Sequence, residues 1–405
     1  MKRKIIVFFL LLFFTSLFFS GCFSPWREEA ASLTLNLGGS PINSRAAVSE
    51  AILSQMAHII ELNGPTGRQS HTVEGANQLT VTVMPGYWEI NIQAYLNGIL
   101  CTEGSGGADI KAGQNNTVAI RMNPIDDLEY IVFNTSDDIE YDEYIPGSLR
   151  YAIQKAFASQ DMVTIRIMLP PGEEIKLKNT LYVDNRNLVI EGNGITLSND
   201  ETLPGSDILM TVEKNDDNLS ATIRRVRFKN SNGGAIENNG DLILESCIFS
   251  GNNADITRPN GEAIYNNGTL DMKGCTFYNN HAGDSGGVIY NYGQIKLTGN
   301  LFYENIANNS QVITPSMNGI VTSCGYNAID VELGTGSTQS GWTAVTGDTT
   351  FTELGITTPI DTDTFRPVLQ LKNFMPSSPL ADFPPADFYG NKRKWPGAPG
   401  AVDCD

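Results

Sequence analysis

Apolar and polar positions alternate along this chain in recognisable blocks, and one block repeats. Between Gly233 and Asn305 a 20-residue phrase occurs three times without a gap, as Gly233–Asn252, Gly261–Asn280 and Gly286–Asn305. The starts lie 28 and then 25 residues apart, so the inserts vary while the phrase is kept. Self-similarity at this period marks a stacked-repeat architecture. Ile236, Ile264 and Ile289 share one position, Leu242, Leu270 and Ile295 another, and Leu244, Met272 and Leu297 a third. Phe249, Phe277 and Phe302 close the phrase. Leu242 and Leu244 are two residues apart, which puts them on one face of a strand. Asn239-Gly240 and Asn267-Gly268, with Tyr292-Gly293 in the third copy, predict a corner after a first short strand, where Asn and Gly tolerate left-handed backbone. Asn279 falls at none of the shared positions and is expected to tolerate replacement. Short strands, fixed corners and an inward apolar set describe one coil of a parallel β-helix, with Asn238, Asn266 and Asn291 stacked as an amide ladder at roughly 4.8 Å per rung. One such coil cannot offset the entropy of ordering twenty residues, so the coils must stack. The pattern continues upstream through Ala221, Ile223, Val226 and Phe228.

Other blocks predict other elements. Ser32–Leu37, Leu79–Met84, Tyr87–Leu96 and Thr117–Met122 read as strands, with Trp88, Ile90 and Ile92 on one face and Gly, Pro and Asn between the strands. Residues 45–60 read as a short helix or a strand. Ser148 is placed to cap a helix whose Leu149, Ala152, Ile153, Ala156 and Phe157 form one apolar face. That helix would cover the open end of the stack, whose unpaired edge invites aggregation. The fold class expected is therefore all-β: a parallel β-helix with an N-terminal capping helix, preceded by a small β-sandwich.

At the repeat the chain resembles a known family. The Gly233-Gly234-Ala235-Ile236 and Phe249–Asn252 signatures, with Gly261–Ile264, Phe277–Asn280, Gly286–Ile289 and Phe302–Asn305, are similar to polymorphic outer membrane protein repeats within the pectate-lyase-like group. That resemblance implies a right-handed β-helix. It does not fix a function, because the fold hosts adhesins, lyases and hydrolases. Pro85-Gly86-Tyr87-Trp88 resembles carboxypeptidase-regulatory or prealbumin-like spacer domains. The closing phrase, with Asp387, Gly390, Arg393 and Gly400-Ala401-Val402, is similar to the end of exported choice-of-anchor Q proteins, where it implies a structural terminus.

The first residues change the picture of where the chain acts. Met1-Lys2-Arg3-Lys4, an apolar run from Ile5 to Phe19, and Ser20-Gly21-Cys22 form a bacterial export signal. Its end resembles a lipobox, which implies that Cys22 becomes the lipid-bearing first residue and that the membrane is a partner through this lipid. Phe19 stands where that motif usually has Leu. Phe23 and Ser24 follow Cys22 without the aspartate of inner-membrane retention, so the expected location is the cell envelope, at the outer membrane or cell surface. The expected divisions are a leader over 1–21, a β-sandwich spacer over 22–124, an acidic linker over 125–147, the β-helix over 148–310 and a loop-rich C-terminal cap over 311–405. Loss of Lys2, Arg3 and Lys4 with the leader takes the formal charge from −18 to −21. Such a surface repels nucleic acid, which is not an expected partner.

Candidate chemistry is sparse. Asp126, Asp127, Asp137, Asp138, Glu140, Asp142 and Glu143 make the linker acidic, and their spacing fits no EF-hand. With Cys22 lipidated, five cysteines remain without a CxxC step, against a zinc site or a disulfide framework. Cys247 and Cys275 share a repeat position, held by Asn300 in the third copy, and read as small buried side chains, with a rung-to-rung disulfide as the alternative. Gly283-Asp284-Ser285-Gly286-Gly287 spells a protease nucleophile motif, but the repeat already explains Gly286-Gly287 and no oriented histidine–acid pair accompanies it. The lyases that the resemblance brings in use carboxylate-bound calcium and an arginine base, for which Arg258, Asp255 and Glu262 are the candidates; the plainer reading is a solvated insert. Asp241 and Asp271 are staggered in the repeat, not paired across a groove as glycoside hydrolysis needs. No metal or cofactor is expected. The functional expectation is a non-catalytic binding or adhesion module for a glycan or a surface protein, with Tyr265, Tyr278, Tyr290, Tyr292 and Tyr303 as an aromatic ridge. Its rivals are a carbohydrate-active enzyme and a passive envelope spacer.

Overall fold

A computed structural model describes residues 30–37, 56–76, 78–96, 99–120, 122–124, 130–140, 143–145, 147–159, 162–184, 187–200, 208–214, 219–253, 263–282, 287–307, 311–335 and 339–404. Cys22, Asp255, Arg258, Glu262 and residues 283–286 lie outside them. The described chain forms two compact units, one up to residue 124 and one from residue 130.

The first unit is an antiparallel sheet in the order Gly67–Glu74, Met56–Gly64, Gly86–Leu96, Ile99–Ile110 and Asn123–Pro124, accompanied by a three-stranded sheet of Gln78–Val83, Ala31–Asn36 and Asn115–Ala119. Alternation sends Leu33 and Leu35 from one sheet, and Ile60, Leu62, Trp88, Ile90 and Ile92 from the other, into one core. The Trp88 indole N–H donates to the Met84 carbonyl at 2.9 Å, which satisfies its one polar atom in that core. Of residues 45–60, those from Met56 onward form a strand. The strand Ile99–Ile110 was not foreseen. It pairs along almost the whole of Gly86–Leu96, and its glycines permit close packing: a Cβ on Gly107 would sit 2.1 Å from the Tyr87 hydroxyl oxygen.

The second unit is a parallel β-helix with three strands per coil. Ile236–Asn238 belongs to a six-stranded sheet that runs from Leu181–Asp184 to Ile313–Pro315. Asp241–Glu245 and Ile248–Ser250, the next two strands of the same coil, belong to the large curled parallel sheet. Each strand pairs in register with its equivalent one coil on, so Ile236, Ile264, Ile289 and Ile313 align, as do Leu242, Leu270, Ile295 and Val321. Phe228, Phe249, Phe277 and Phe302 stack face to face at 5.0, 4.7 and 4.8 Å, all with no exposed surface. Asn238 donates to Asn266, and Asn266 to Asn291, both at 2.7 Å. A second amide ladder joins Asn252, Asn280 and Asn305 at 2.8 and 2.9 Å. Stacked identical amides satisfy each other, which is how buried side-chain amides avoid a desolvation cost.

The corners differ from the expectation in one respect. Asn239, Asn267, Gly268 and Gly293 are not left-handed. The glycines there let coils approach: a Cβ on Gly268 would lie 1.9 Å from the Gly240 carbonyl oxygen, and one on Gly293 equally close to that of Gly268. The left-handed residues sit one corner later, at Arg225, Ser246, Gly274 and Gly299, and again at Asn230, Gly251, Asn279 and Glu304. Asn279, at φ 52°, therefore holds a shared conformation although not a shared residue.

Helix α1 (Leu149–Ala156) follows Ser148, whose hydroxyl accepts from the Tyr151 N–H at 3.2 Å. It buries Leu149, Ala152, Ile153 and Ala156 and packs beside Val163–Ile167, the first strand of the large sheet after the helix. Part of the stretch expected as a linker is built into this cap. Ile131–Val132 pairs with Val163–Ile167, and buried Asp137 takes two bonds of 2.7 Å from the Arg150 guanidinium and a third from the Lys178 N–H. Coils also continue past residue 310, through Ile320–Ser323, Ala328–Ile329 and Thr349–Thr350.

The closing segment, residues 351–404, lies against the strands around Thr276 and Leu301. The buried Arg393 guanidinium donates to the carbonyls of Gly400 (2.8 Å) and Ala401 (3.1 Å) and to the Ser246 hydroxyl (3.1 Å), with Phe383 beneath it at 5.2 Å. Asp387 and Asp403 accept backbone N–H groups from Asn391, Lys394 and Ala398. Asp387, Arg393 and Gly400, singled out in the closing phrase, thus act together with Asp403, which was not.

Candidate binding surface

The repeat places the five tyrosines in two groups on different strands of the coil. Tyr265 and Tyr290 are directly paired on the outward side of the six-stranded sheet, 6.1 Å apart with their planes 8° from parallel. Tyr292, at the corner that follows, meets Tyr265 at 5.8 Å and Tyr290 at 5.2 Å, inclined to both, and is 42% exposed. Tyr278 and Tyr303 sit two strands further along the coil, stacked at 6.0 Å. The closing segment covers them: Phe365 packs edge-on against Tyr278 at 5.9 Å, and Phe351 against Tyr303 at 6.2 Å. The Tyr303 hydroxyl donates to the Thr357 carbonyl at 3.3 Å, and burial, reinforced by Glu304, pushes this phenol up to about 12. The structure therefore brings Tyr265, Tyr290 and Tyr292 together and keeps Tyr278 and Tyr303 apart from them.

A polar row adjoins the first group. Glu237 accepts from the Asn239 amide at 3.3 Å, and Asn239 accepts from the Asn267 amide at 2.7 Å. Burial raises the Tyr265 and Tyr290 phenols above their ordinary values, with Tyr292 contributing to both shifts and Glu237 to the first, so both stay protonated donors at neutral pH. Side chains held by each other before a ligand arrives lose less freedom on binding it. The sequence marks Asn239 and Asn267 only as corner residues and does not single out Glu237; their repeat positions, one either side of the buried ladder asparagine, were the available signal.

A concavity of about 360 Å³ lies between the large sheet and Pro384-Pro385-Ala386. Its floor belongs to an outward column of alternating charge, in which register aligns Arg166, Glu191, Arg224, Glu245 and Lys273. Arg224 bonds both neighbouring carboxylates, Glu191 at 2.7 Å and Glu245 at 2.5 Å. Another, of about 440 Å³, is in the first unit on the sheet side carrying Glu61, Asn91, Gln93, Glu103 and Ser105. Neither was anticipated.

The remaining candidates have plain placements. Cys247 and Cys275 are buried free thiols directed at backbone carbonyls, Cys247 toward Ile223 at 3.4 Å and Cys275 toward Leu244 at 3.5 Å; burial, then the neighbouring Cys247, raises the Cys275 thiol well above its usual value. Asp241 and Asp271 align with Thr269 and Ile243, in different columns. His281 bonds the Asn279 side chain at 2.9 Å. Among the described residues no three His, Cys, Asp or Glu gather as a metal would need, and no helix is long and apolar enough to cross a membrane. Comparison with protein families, with curated proteins and with solved structures gives no match.

Proposed function

We propose that the chain is an exported, lipid-anchored surface protein that acts as a non-catalytic binding or adhesion module. The observation that carries the binding role is the Tyr265–Tyr290–Tyr292 cluster beside the interlocked Glu237–Asn239–Asn267 row, on a sheet face backed by a rigid stack. Aromatic side chains flanked by fixed polar groups suit recognition of amphipathic ligands. The leader and Cys22 support the export and anchor, and the resemblance of the repeat to polymorphic outer membrane protein repeats within the pectate-lyase-like group agrees with a surface role. The second reading, a carbohydrate-active enzyme, is favoured by one observation: Glu191 and Glu245 face a cleft on either side of Arg224. In the column, however, each of those carboxylates is already committed to an arginine.

A glycan array read together with an assay for reducing ends and unsaturated products separates the two. The expected result is retention on the array with no product, with or without calcium. Product release that disappears in Glu191→Gln or Glu245→Gln would replace this reading with the enzymatic one.

A further inference from the structure

The chemistry of the tyrosine face narrows its ligand, if that face is the binding surface proposed above. Register lines up Tyr182, Thr211, Glu237, Tyr265, Tyr290 and Thr314 as one column along the stack. Asp184 and Glu213 pair at its upstream corner, followed in the next coils by Asn239, Asn267 and Tyr292. Neither line contains a lysine or arginine, and together they carry three carboxylates.

Three arguments fix the occupant. The first is charge. A polymer bearing uronate or sulfate groups would bring negative charge against Glu237, with no lysine or arginine in either line to meet it, on a chain whose formal charge is −18. The second is backbone pairing. An extended peptide binds a sheet through a free edge, but here every strand from Met210–Glu213 to Ile289–Asn291 is paired on both sides. The third is presentation. Because Tyr265 and Tyr290 cover each other's faces, they offer ring edges and hydroxyls, while exposed Tyr292, inclined to both, offers an open face. Hydroxyls, amides and a carboxylate repeated at one coil's spacing match a chain that carries neutral hydroxyl groups at a comparable repeat.

We infer that this face binds a neutral linear polysaccharide lengthwise along the stack. Tyr292 lies under one sugar ring, and the Tyr265 and Tyr290 phenols, Asn239 and Glu237 bond hydroxyls of the units beside it.

Affinity electrophoresis of the whole chain tests this, in gels cast with a mixed-linkage β-glucan or a galactomannan and in parallel gels with polygalacturonate or alginate. Retardation is expected in the neutral gels alone. Tyr292→Ala should weaken it about tenfold, Tyr265→Phe less, and Tyr87→Ala, exposed on the other unit, not at all. Retardation by the uronate polymers alone would overturn the ligand class and leave a binding module standing. Retardation by neutral polymer that survives both Tyr292→Ala and Tyr265→Ala would overturn the face. A fall in polymer viscosity would sink the non-catalytic reading itself, and no retardation in any gel would end the proposal.

Discussion

In the coils from Gly233 to Asn305 the partner of a buried side chain is its own copy. Phe277 lies between Phe249 and Phe302, and Asn280 between Asn252 and Asn305. In the closing segment, residues 351–404, the partners are all different: Arg393 reaches two carbonyls and a serine, and Asp403 accepts the backbone N–H groups of Lys394, Ala398 and Cys404. Both regions are buried and hydrogen-bonded. A column states one requirement many times, so its specificity comes from translation. The closing segment states each requirement once, so its specificity comes from the individual side chain.

The sharpest way to break that comparison is within the aromatic column. Phe277→Ala removes a fully buried ring and two stacking contacts and should cost about 3–5 kcal/mol. Urea melts measure it, and a loss under 1 kcal/mol would show that the column does not hold the coils together. Next in size is Arg393→Ala, which leaves the buried Gly400 carbonyl without its donor, takes one of two donors from Ala401 and should cost about 2–3 kcal/mol. Limited proteolysis should show new cutting confined to the closing segment. Arg393→Lys should not rescue, because an ammonium cannot reproduce the planar fork; wild-type resistance in that variant would count against individual specification. The smallest effect is at a corner. Asn279→Ala should cost about 1 kcal/mol, because alanine lacks the short polar side chain that lets asparagine tolerate left-handed backbone, and Asn279→Gly should be neutral or better. The reverse order in melting temperature would mean that the corner relaxes.

These same differences explain what could be read from the chain. Copies align against each other, so Ile236, Leu242 and Phe249 were assignable inward, and the Asn238 ladder followed from its position. The corner role of Asn279 was hidden because conformation is shared there while residue type is not: Gly251, Asn279 and Glu304 all adopt it. Ile99–Ile110 carries Gly104, Gly106 and Gly107, which erase the alternation that marks a strand. Gly67–Glu74 is polar on both sides except at Val73 and becomes a strand by pairing with Met56–Gly64. The tyrosines were legible as aromatic and outward, but not as two groups. Separating them needs the corners that divide the coil into three faces, and the cover on Tyr278 and Tyr303 comes from Phe365 and Phe351, far along the chain. The Glu237–Asn239–Asn267 row depends on rotamers, which no spacing reveals.

The anchors of the closing segment have a consequence for the length of the molecule. Arg393 holds Ser246, the Ala401 N–H donates to Thr276 at 2.8 Å, and the Gly400 N–H donates to the Gly299 carbonyl at 2.8 Å. Ser246, Thr276 and Gly299 belong to three successive coils. A stack whose ladders bond like to like has no internal means of counting: lose one coil, and every asparagine and phenylalanine still finds its own kind across the gap. The strap across three coils supplies that count. It works as a gauge, in which serine, threonine and glycine must arrive in that order and at that spacing for Arg393, Ala401 and Gly400 to meet them, so the strap checks the spacing of these three turns.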